Sequence, residues 1–368
     1  MAVAAVRLPF ILGGVFGGDA AYHARAAVTV LGGGLLYRDV PYTYPPLYAY
    51  SEALAIGILG NTSIGWKATA QIYDFGSIVL IYLIVNRISN RKNALVATGL
   101  YGFSPLPFFA TSSFISFDST AAFWMLAGLL LLMMKKPLPS AVALGIGTAY
   151  KYFPLLLLPA AIVYLSTKRQ KIVYTLVSIG TVALIQLPFV LTEFTAWLDN
   201  VILYHITRSA GGVTIYNLIS LHPQLWDVST PLTILSPITL LMAFVLVALS
   251  EGKSDLGLFK SSTFILVTAV FFSKVVLFYA LWYVPLICIL LTDLRKRTSA
   301  LVIVPFFVLQ VTLILVGFNY SLTFNVQNAL IGDYVCLITS GLLLVWLLYD
   351  RLISAKNQGK LNRHITVK

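Results

Sequence analysis

A chain of 368 residues that is 59% hydrophobic and only 10% charged, with a mean hydropathy of +0.88, is not the composition of a water-soluble globular protein. Its net charge of +12 lies mostly in short basic loops and a basic tail, which suits anionic lipid headgroups and gives no reason to expect a nucleic-acid partner. The apolar residues fall in roughly a dozen runs of membrane or near-membrane length, so the sequence predicts an all-α polytopic membrane protein.

The basic clusters fix the order of crossings. Arg87, Arg91 and Lys92; Lys135 and Lys136; Lys168, Arg169 and Lys171; Lys253 and Lys260; Arg295, Lys296 and Arg297; and the tail from Arg351 to Lys368 all belong on the cytoplasmic side by the positive-inside rule. That requirement predicts about twelve spans, near residues 1–18, 64–86, 94–111, 118–134, 138–150, 152–166, 172–191, 231–249, 260–273, 275–292, 299–316 and 330–349, with both termini inside. Residues 45–60 are apolar enough to cross, but a crossing there would invert Arg87 to Lys92, so they are read as an interfacial or re-entrant helix behind Tyr44-Pro45-Pro46. Residues 138–166 must go out and return in too few residues for two full spans, which sets Lys151 at the tip of a short helical hairpin inside the protein. The whole of 1–368 reads as one integral membrane domain, with terminal helices at 286–350 and a cytoplasmic tail at 351–368. Cys288 and Cys336 lie in apolar spans, where a disulfide is not expected. The N-terminus has no signal-peptide cleavage pattern, Arg7 is its only early charge, and the shortness of its first span points to a true start upstream.

A minority of the 25 Lys and Arg residues fall on the other face, and most of the 13 Asp and Glu residues gather with them. A charge near hydrocarbon costs at least ~2.5–3.5 kcal/mol, so a cluster of them facing one compartment reads as a working site. In chain order, Asp19 stands where the first span ends, followed by Tyr22 and His23. Its carboxylate can take a proton from an acceptor hydroxyl or start the helix over 20–31, and the two roles are compatible. Tyr44-Pro45-Pro46 fixes an extended turn. Lys67, in Gly65-Trp66-Lys67, shares a helix face with Asp74, and this pair reads either as substrate-binding or as a snorkelling cation and an interhelical ion pair. Asp118 opens the fourth span and is first a cap candidate. Lys151 has no acid adjacent in sequence, His205 and Arg208 lie three apart in Tyr204-His205-Ile206-Thr207-Arg208, and Lys274 marks a turn between two apolar runs. Cations converging on one cavity call for an anion such as phosphate. The competing reading pairs each with its own carboxylate among Glu193, Asp199, Asp227 or Asp333.

Other chemistries are missing from the sequence. There is no Gly-x-x-x-x-Gly-Lys-Ser/Thr loop, no soluble nucleotide-sugar domain, and no His-Glu-x-x-His zinc spacing. A donor is therefore expected to arrive from within the membrane.

At these residues the sequence resembles the GT-C glycosyltransferases that use polyprenyl-phosphate sugars, most closely the catalytic subunit of GPI mannosyltransferase I and bacterial polyprenol-phosphate-mannose-dependent mannosyltransferases. The matching features are Asp19 with Tyr22-His23, Tyr42 to Leu47, Gly65-Trp66-Lys67 with Asp74, Lys151 with Pro154, Tyr204 to Arg208, and Lys274 followed by Leu281-Trp282-Tyr283, in the family's order across residues 17–285. The resemblance implies a GT-C-like bundle with interfacial helices in the first extracytoplasmic loop and a catalytic region over 1–285. It departs from the family where Asp-x-Asp becomes Asp19-Ala20-Ala21, which disfavours a bridging divalent metal, and where Ser-Gln-Tyr becomes Leu277-Phe278-Tyr279.

The resemblance further implies inverting mannosyl transfer from a polyprenyl-phosphate (dolichyl-phosphate-like) donor to a glycolipid or lipid-linked glycan on the extracytoplasmic face. Asp19 is expected as general base, and Lys151, His205, Arg208 and Lys274 as donor-phosphate ligands. Tyr22, His23, Tyr44, Lys67, Asp74, Asp118 and Tyr204 are expected to bind acceptor or sugar. No cofactor is expected, an accessory subunit is possible by analogy with the eukaryotic relatives, and the location is the plasma membrane, or the endoplasmic reticulum in a eukaryote. A membrane transporter for a small or lipid-linked solute is the alternative from another class, and a non-catalytic lipid-binding subunit a third.

Overall fold

The computed structural model describes residues 2–14, 18–112, 114–207, 213, 215, 229–249, 253–272, 276–293, 302–304, 306–308, 310–311 and 326–365. Helices account for nearly all of them, and no strand forms among the described residues beyond an isolated bridge between Leu36 and Val40. In chain order these are α1 (Ala2–Leu12), α2 (Gly18–Leu31), α3 (Leu47–Leu59), α4 (Ser63–Ile88), α5 (Arg91–Gly102), α6 (Pro105–Ser112), α7 (Asp118–Met133), α8 (Pro137–Tyr150), α9 (Leu158–Tyr164) and α10 (Lys168–Thr192). Helices at Ser229–Ala248, Asp255–Phe271, Val284–Leu290 and Val326–Ile365 follow.

The ends of these helices are written locally. Thr62 caps α4 through Gly65 N, Asn90 caps α5 through Asn93 N, and Thr167 with Gln170 forms a reciprocal capping box on α10. Pro105 and Pro137 open α6 and α8, where the missing N–H costs nothing. Gly65 is required by close approach, because a Cβ there would run into the Gly60 carbonyl.

Among the described residues three helices are long and apolar enough to cross a membrane: α4, α10 and residues Asp333–Arg351. α5 and α6, bent by 48° at their break, pass the same test only together, as a broken span or a re-entrant loop. The spans predicted at 1–18, 118–134, 152–166 and 231–249 form shorter apolar helices, and those at 138–150, 260–273 and 275–292 meet neither test, so helix length alone does not fix a count of twelve. Most of the run predicted at 299–316 lies outside the described residues. The helix predicted at 45–60 is α3, whose 13 residues rise only ~20 Å, short of a bilayer core, and it packs on α2 and α4.

Side-chain contacts separate the two faces. Lys135, just before α8, donates to Tyr164 at the end of α9 (2.7 Å), so the chain leaves and returns to one face between them. Tyr164 in turn donates to Asp255, and Lys260 pairs with Asp350 (2.7 Å), which brings Lys135 and Lys260 to that face. Lys151 stands at the far end of the excursion, at the break between α8 and the tight turn Phe153–Leu157, where the short-hairpin argument puts it.

Arg7 anchors α1 to this frame. It is fully buried, paired with Asp74 of α4, and donates twice to the Gly102 carbonyl, while Tyr101 donates to the other Asp74 oxygen (2.7 Å). Asp74→Ala would leave a buried guanidinium unpaired and is expected to cost about 3–5 kcal/mol. The double variant Arg7→Met/Asp74→Leu should recover most of that, read as thermal stability in detergent.

Candidate active site

A cavity of about 370 Å³ opens at the end of the bundle opposite the basic loops, within the usual size range for a ligand pocket. Three parts of the chain wall it: the first loop with α2 (Asp19, Tyr22, Pro41, Thr43, Tyr44), the approach to α7 (Phe114 to Asp118), and the segment Val276, Phe278 and Tyr279. Lys151 and Tyr204 complete the lining. Asp19 is exposed in the first turn of α2, so its carboxylate faces water at the rim.

Lys151 is buried and ion-paired to Asp118, Nζ to Oδ1 at 2.7 Å. Four aromatic rings surround its ammonium, Phe117 at 4.4 Å, Tyr279 at 5.0 Å, and Tyr44 and Trp282 at 5.8 Å. Such a cage holds a cation by its ring faces while excluding water, which raises the strength of any charge contact made inside it. Asp118 heads α7 without capping it, contrary to the cap expectation. Trp282 Nε1 donates to Oδ1 at 2.6 Å and Ser116 Oγ to Oδ2 at 2.7 Å, so both oxygens are held. Trp282 is itself held flat between Phe153 (4.7 Å, 8°) and Tyr279 (4.5 Å, 25°). Ile115 sits at φ +53°, a left-handed conformation that a β-branched residue rarely adopts and that costs on the order of 1–3 kcal/mol. It is held there by neighbours that bond on to α6, Phe114 N to Phe109 O and Ser116 N to Ala110 O.

The first loop is fastened from both sides. Tyr22 OH receives the Thr43 N–H (2.7 Å), Tyr37 donates to the Tyr44 carbonyl (2.9 Å), and Tyr42 N donates to Asn200 Oδ1 (3.1 Å). His205 Nε2 lies 2.6 Å from the Thr43 carbonyl, which can only accept, so this nitrogen carries the proton and holds the loop.

Of the expected phosphate ligands, Lys151 reaches the cavity, His205 commits Nε2 to Thr43, and Arg208 and Lys274 lie outside the described residues. Of the expected acceptor ligands, Tyr22, Tyr44, Asp118 and Tyr204 line it. Lys67 and Asp74 do not; both are wholly buried and bound to α1 and its end. The motif spacing put them on one helix face without revealing that this face meets α1. His23 lies behind the wall, packed on Phe117 (4.7 Å) and Tyr48 (5.0 Å), with Nδ1 2.9 Å from Tyr42 OH. Trp282, Ser116 and Tyr279 were missed as site residues. An indole N–H in an apolar run needs a partner, and that was the available signal. Among the described residues no group of three His, Cys, Asp or Glu side chains comes together to hold a metal.

Burial first, and then the Lys151 charge, push the His23 imidazole down to about 3, so it is neutral in the folded protein. The unfolded chain takes up that proton near 6.5. The neutral-histidine contribution is therefore complete above pH 6.5 and shrinks as pH falls toward 3, by about 1.4 kcal/mol per unit. Replacing His23 by Gln is expected to flatten the acid side of the stability profile, measured as the difference in Tm between variant and parent from pH 7 to 4.5.

The profile of the dolichyl-phosphate-mannose-protein mannosyltransferase family matches residues 43–197. No curated protein matches the chain. Among solved structures, ArnT from Cupriavidus metallidurans bound to undecaprenyl phosphate is similar, with a TM-score of 0.55 and 14% identity over 94% of this chain and 77% of that one. The same protein in its apo state gives 0.54 and 13% over 94% and 76%.

Proposed function

We propose that the chain, whose fold is similar to that of ArnT over 94% of its length, is a GT-C glycosyltransferase that transfers a sugar from a polyprenyl-phosphate donor to a hydroxyl of a glycolipid or lipid-linked glycan. The observation that carries this reading is the cavity that an exposed carboxylate, Asp19, and a caged ammonium, Lys151, both line.

In this reading the donor's lipid tail lies in the bilayer and its phosphate enters beside Lys151. The acceptor oxygen attacks the anomeric carbon from the opposite side, the bond from that carbon to the phosphate oxygen breaks, and the configuration inverts. Asp19 takes the acceptor's proton and releases it to water. The departing lipid phosphate changes from a diester with one charge to a monoester with two, and the ammonium inside its aromatic cage stabilises the charge gained. An ammonium has three N–H donors, so Lys151 can keep Asp118 and still bond a phosphate oxygen. Asp118, fixed by Trp282 and Ser116, sets where that ammonium stands. Arg208 and Lys274 are kept as further phosphate ligands.

Mannose is the sugar we propose, supported by the family description over 43–197, and undecaprenyl phosphate bound to ArnT supports a polyprenyl carrier. The basic loops favour the cytosol, which turns the cavity outward, in the plasma membrane or in the endoplasmic reticulum of a eukaryote. The transporter alternative has no observation of its own in its favour.

The test is acceptor-dependent transfer by purified protein supplied with radiolabelled polyprenyl-phosphate mannose and candidate glycolipids, with and without chelator. Transfer with inverted anomeric configuration is the expected result, persisting in chelator. A preference for glucose or pentose donors would replace mannose, and no transfer from any polyprenyl-phosphate sugar would end the reading.

A further inference from the structure

We infer that Lys67 is a positioning residue for Asp19: its ammonium gathers the carbonyls that end α1 and thereby fixes where the chain leaves the bundle for the cavity. The inference rests on Asp19 being the base of the proposed transfer. Lys67 is wholly buried in the first turns of α4. Its Nζ meets four carbonyl oxygens, Phe10 at 2.8 Å, Ile11 at 3.3 Å, Gly13 at 2.7 Å and Gly14 at 3.0 Å.

Two of those carbonyls belong to the last turn of α1, which has no intrahelical partner for them. The other two lie beyond the helix, in the run Gly13-Gly14-Val15-Phe16-Gly17-Gly18 that leads into Asp19. A cation at a helix C-terminus is favourable in its own right, and an ammonium can share three N–H donors among four acceptors. α1 is docked independently at its middle by Arg7, Asp74 and the Gly102 carbonyl. The Lys67 contacts are therefore not needed to hold the helix. They determine how it ends, five residues before the carboxylate on the rim.

The test compares Lys67→Met and Lys67→Arg with the parent, alongside Asp19→Asn, in steady-state transfer and amide hydrogen exchange. Misplacing a reacting group by about an ångström costs up to ~10²-fold. Lys67→Met is expected to lower kcat about 10- to 100-fold with the donor KM within about twofold, since Lys151, the phosphate ligand that lines the cavity, follows α8 and makes no contact with Lys67. Exchange should quicken in peptides spanning residues 8–20 and stay unchanged in those spanning 114–120. Lys67→Arg keeps the charge but spreads its donors over a planar fork, and should recover about tenfold of the lost kcat. It also serves if the Met variant does not fold. An unchanged kcat in folded Lys67→Met overturns the inference, as does unchanged exchange over residues 8–20 in Lys67→Arg where the Met variant does not fold, or a fall in kcat matched by a rise in KM and faster exchange throughout α4. Retained transfer in Asp19→Asn would instead overturn the base assignment, while the localised exchange change would still report on the clamp.

Discussion

Asp19→Asn is expected to lower the rate of sugar transfer by about 10²–10⁴-fold while leaving polyprenyl-phosphate binding within about twofold of the parent. The amide has the shape of the carboxylate but cannot take a proton from an attacking hydroxyl. Asparagine is also as good a helix-starting residue as aspartate, so a role confined to opening α2 would survive the substitution. The side chain is exposed, and an isosteric change at an exposed site should move stability by no more than about 0.5 kcal/mol. Loss of turnover with an intact fold and intact lipid-phosphate binding thus separates catalysis from capping. Turnover near that of the parent in the same assay would remove Asp19 from the chemistry.

Local signals carried much of the fold. The Pro-opened α6 and α8, the Thr167 capping box and the short return between Lys136 and Thr167 are all readable in sequence, and the last of these put Lys151 at a hairpin tip. What sequence could not carry is which buried charges meet. Arg7 was only an isolated charge in an apolar run, and its partner Asp74 is 67 residues away. Lys67 and Asp74 share a helix face, and only the packing of α1 against it shows why. Asp118, Lys151 and Trp282 converge from three separate parts of the chain, with Trp282 lying 164 residues from Asp118. No periodicity links them. Asp19 and Lys151, 132 residues apart in sequence, line one cavity. The cations at Arg208 and Lys274 lie outside the described residues, and His205 serves the first loop.

The Asp118–Lys151 pair gives the second large effect, and it needs a double variant to be read. Lys151→Met alone is expected to reduce transfer about 10²–10³-fold, the usual loss when a donor aimed at developing charge is removed from a dry site. That variant also leaves Asp118 buried with its charge uncompensated, and breaking a buried pair from either side costs about 3–5 kcal/mol. A fall in activity could therefore come from a damaged fold. Asp118→Asn breaks the pair from the other side and leaves a caged ammonium without its carboxylate, so it should be destabilised to a similar degree. Combining the two removes both charges together. In the double variant the asparagine that replaces Asp118 can still accept from Trp282, and the methionine that replaces Lys151 fills the aromatic cage with a polarisable, apolar side chain. Thermal stability should return to within about 1 kcal/mol of the parent, while transfer stays as low as in Lys151→Met alone, because the phosphate still lacks its cation. Stability restored without activity makes Lys151 a ligand of the donor; recovery of both together would reduce it to a structural counter-ion of Asp118.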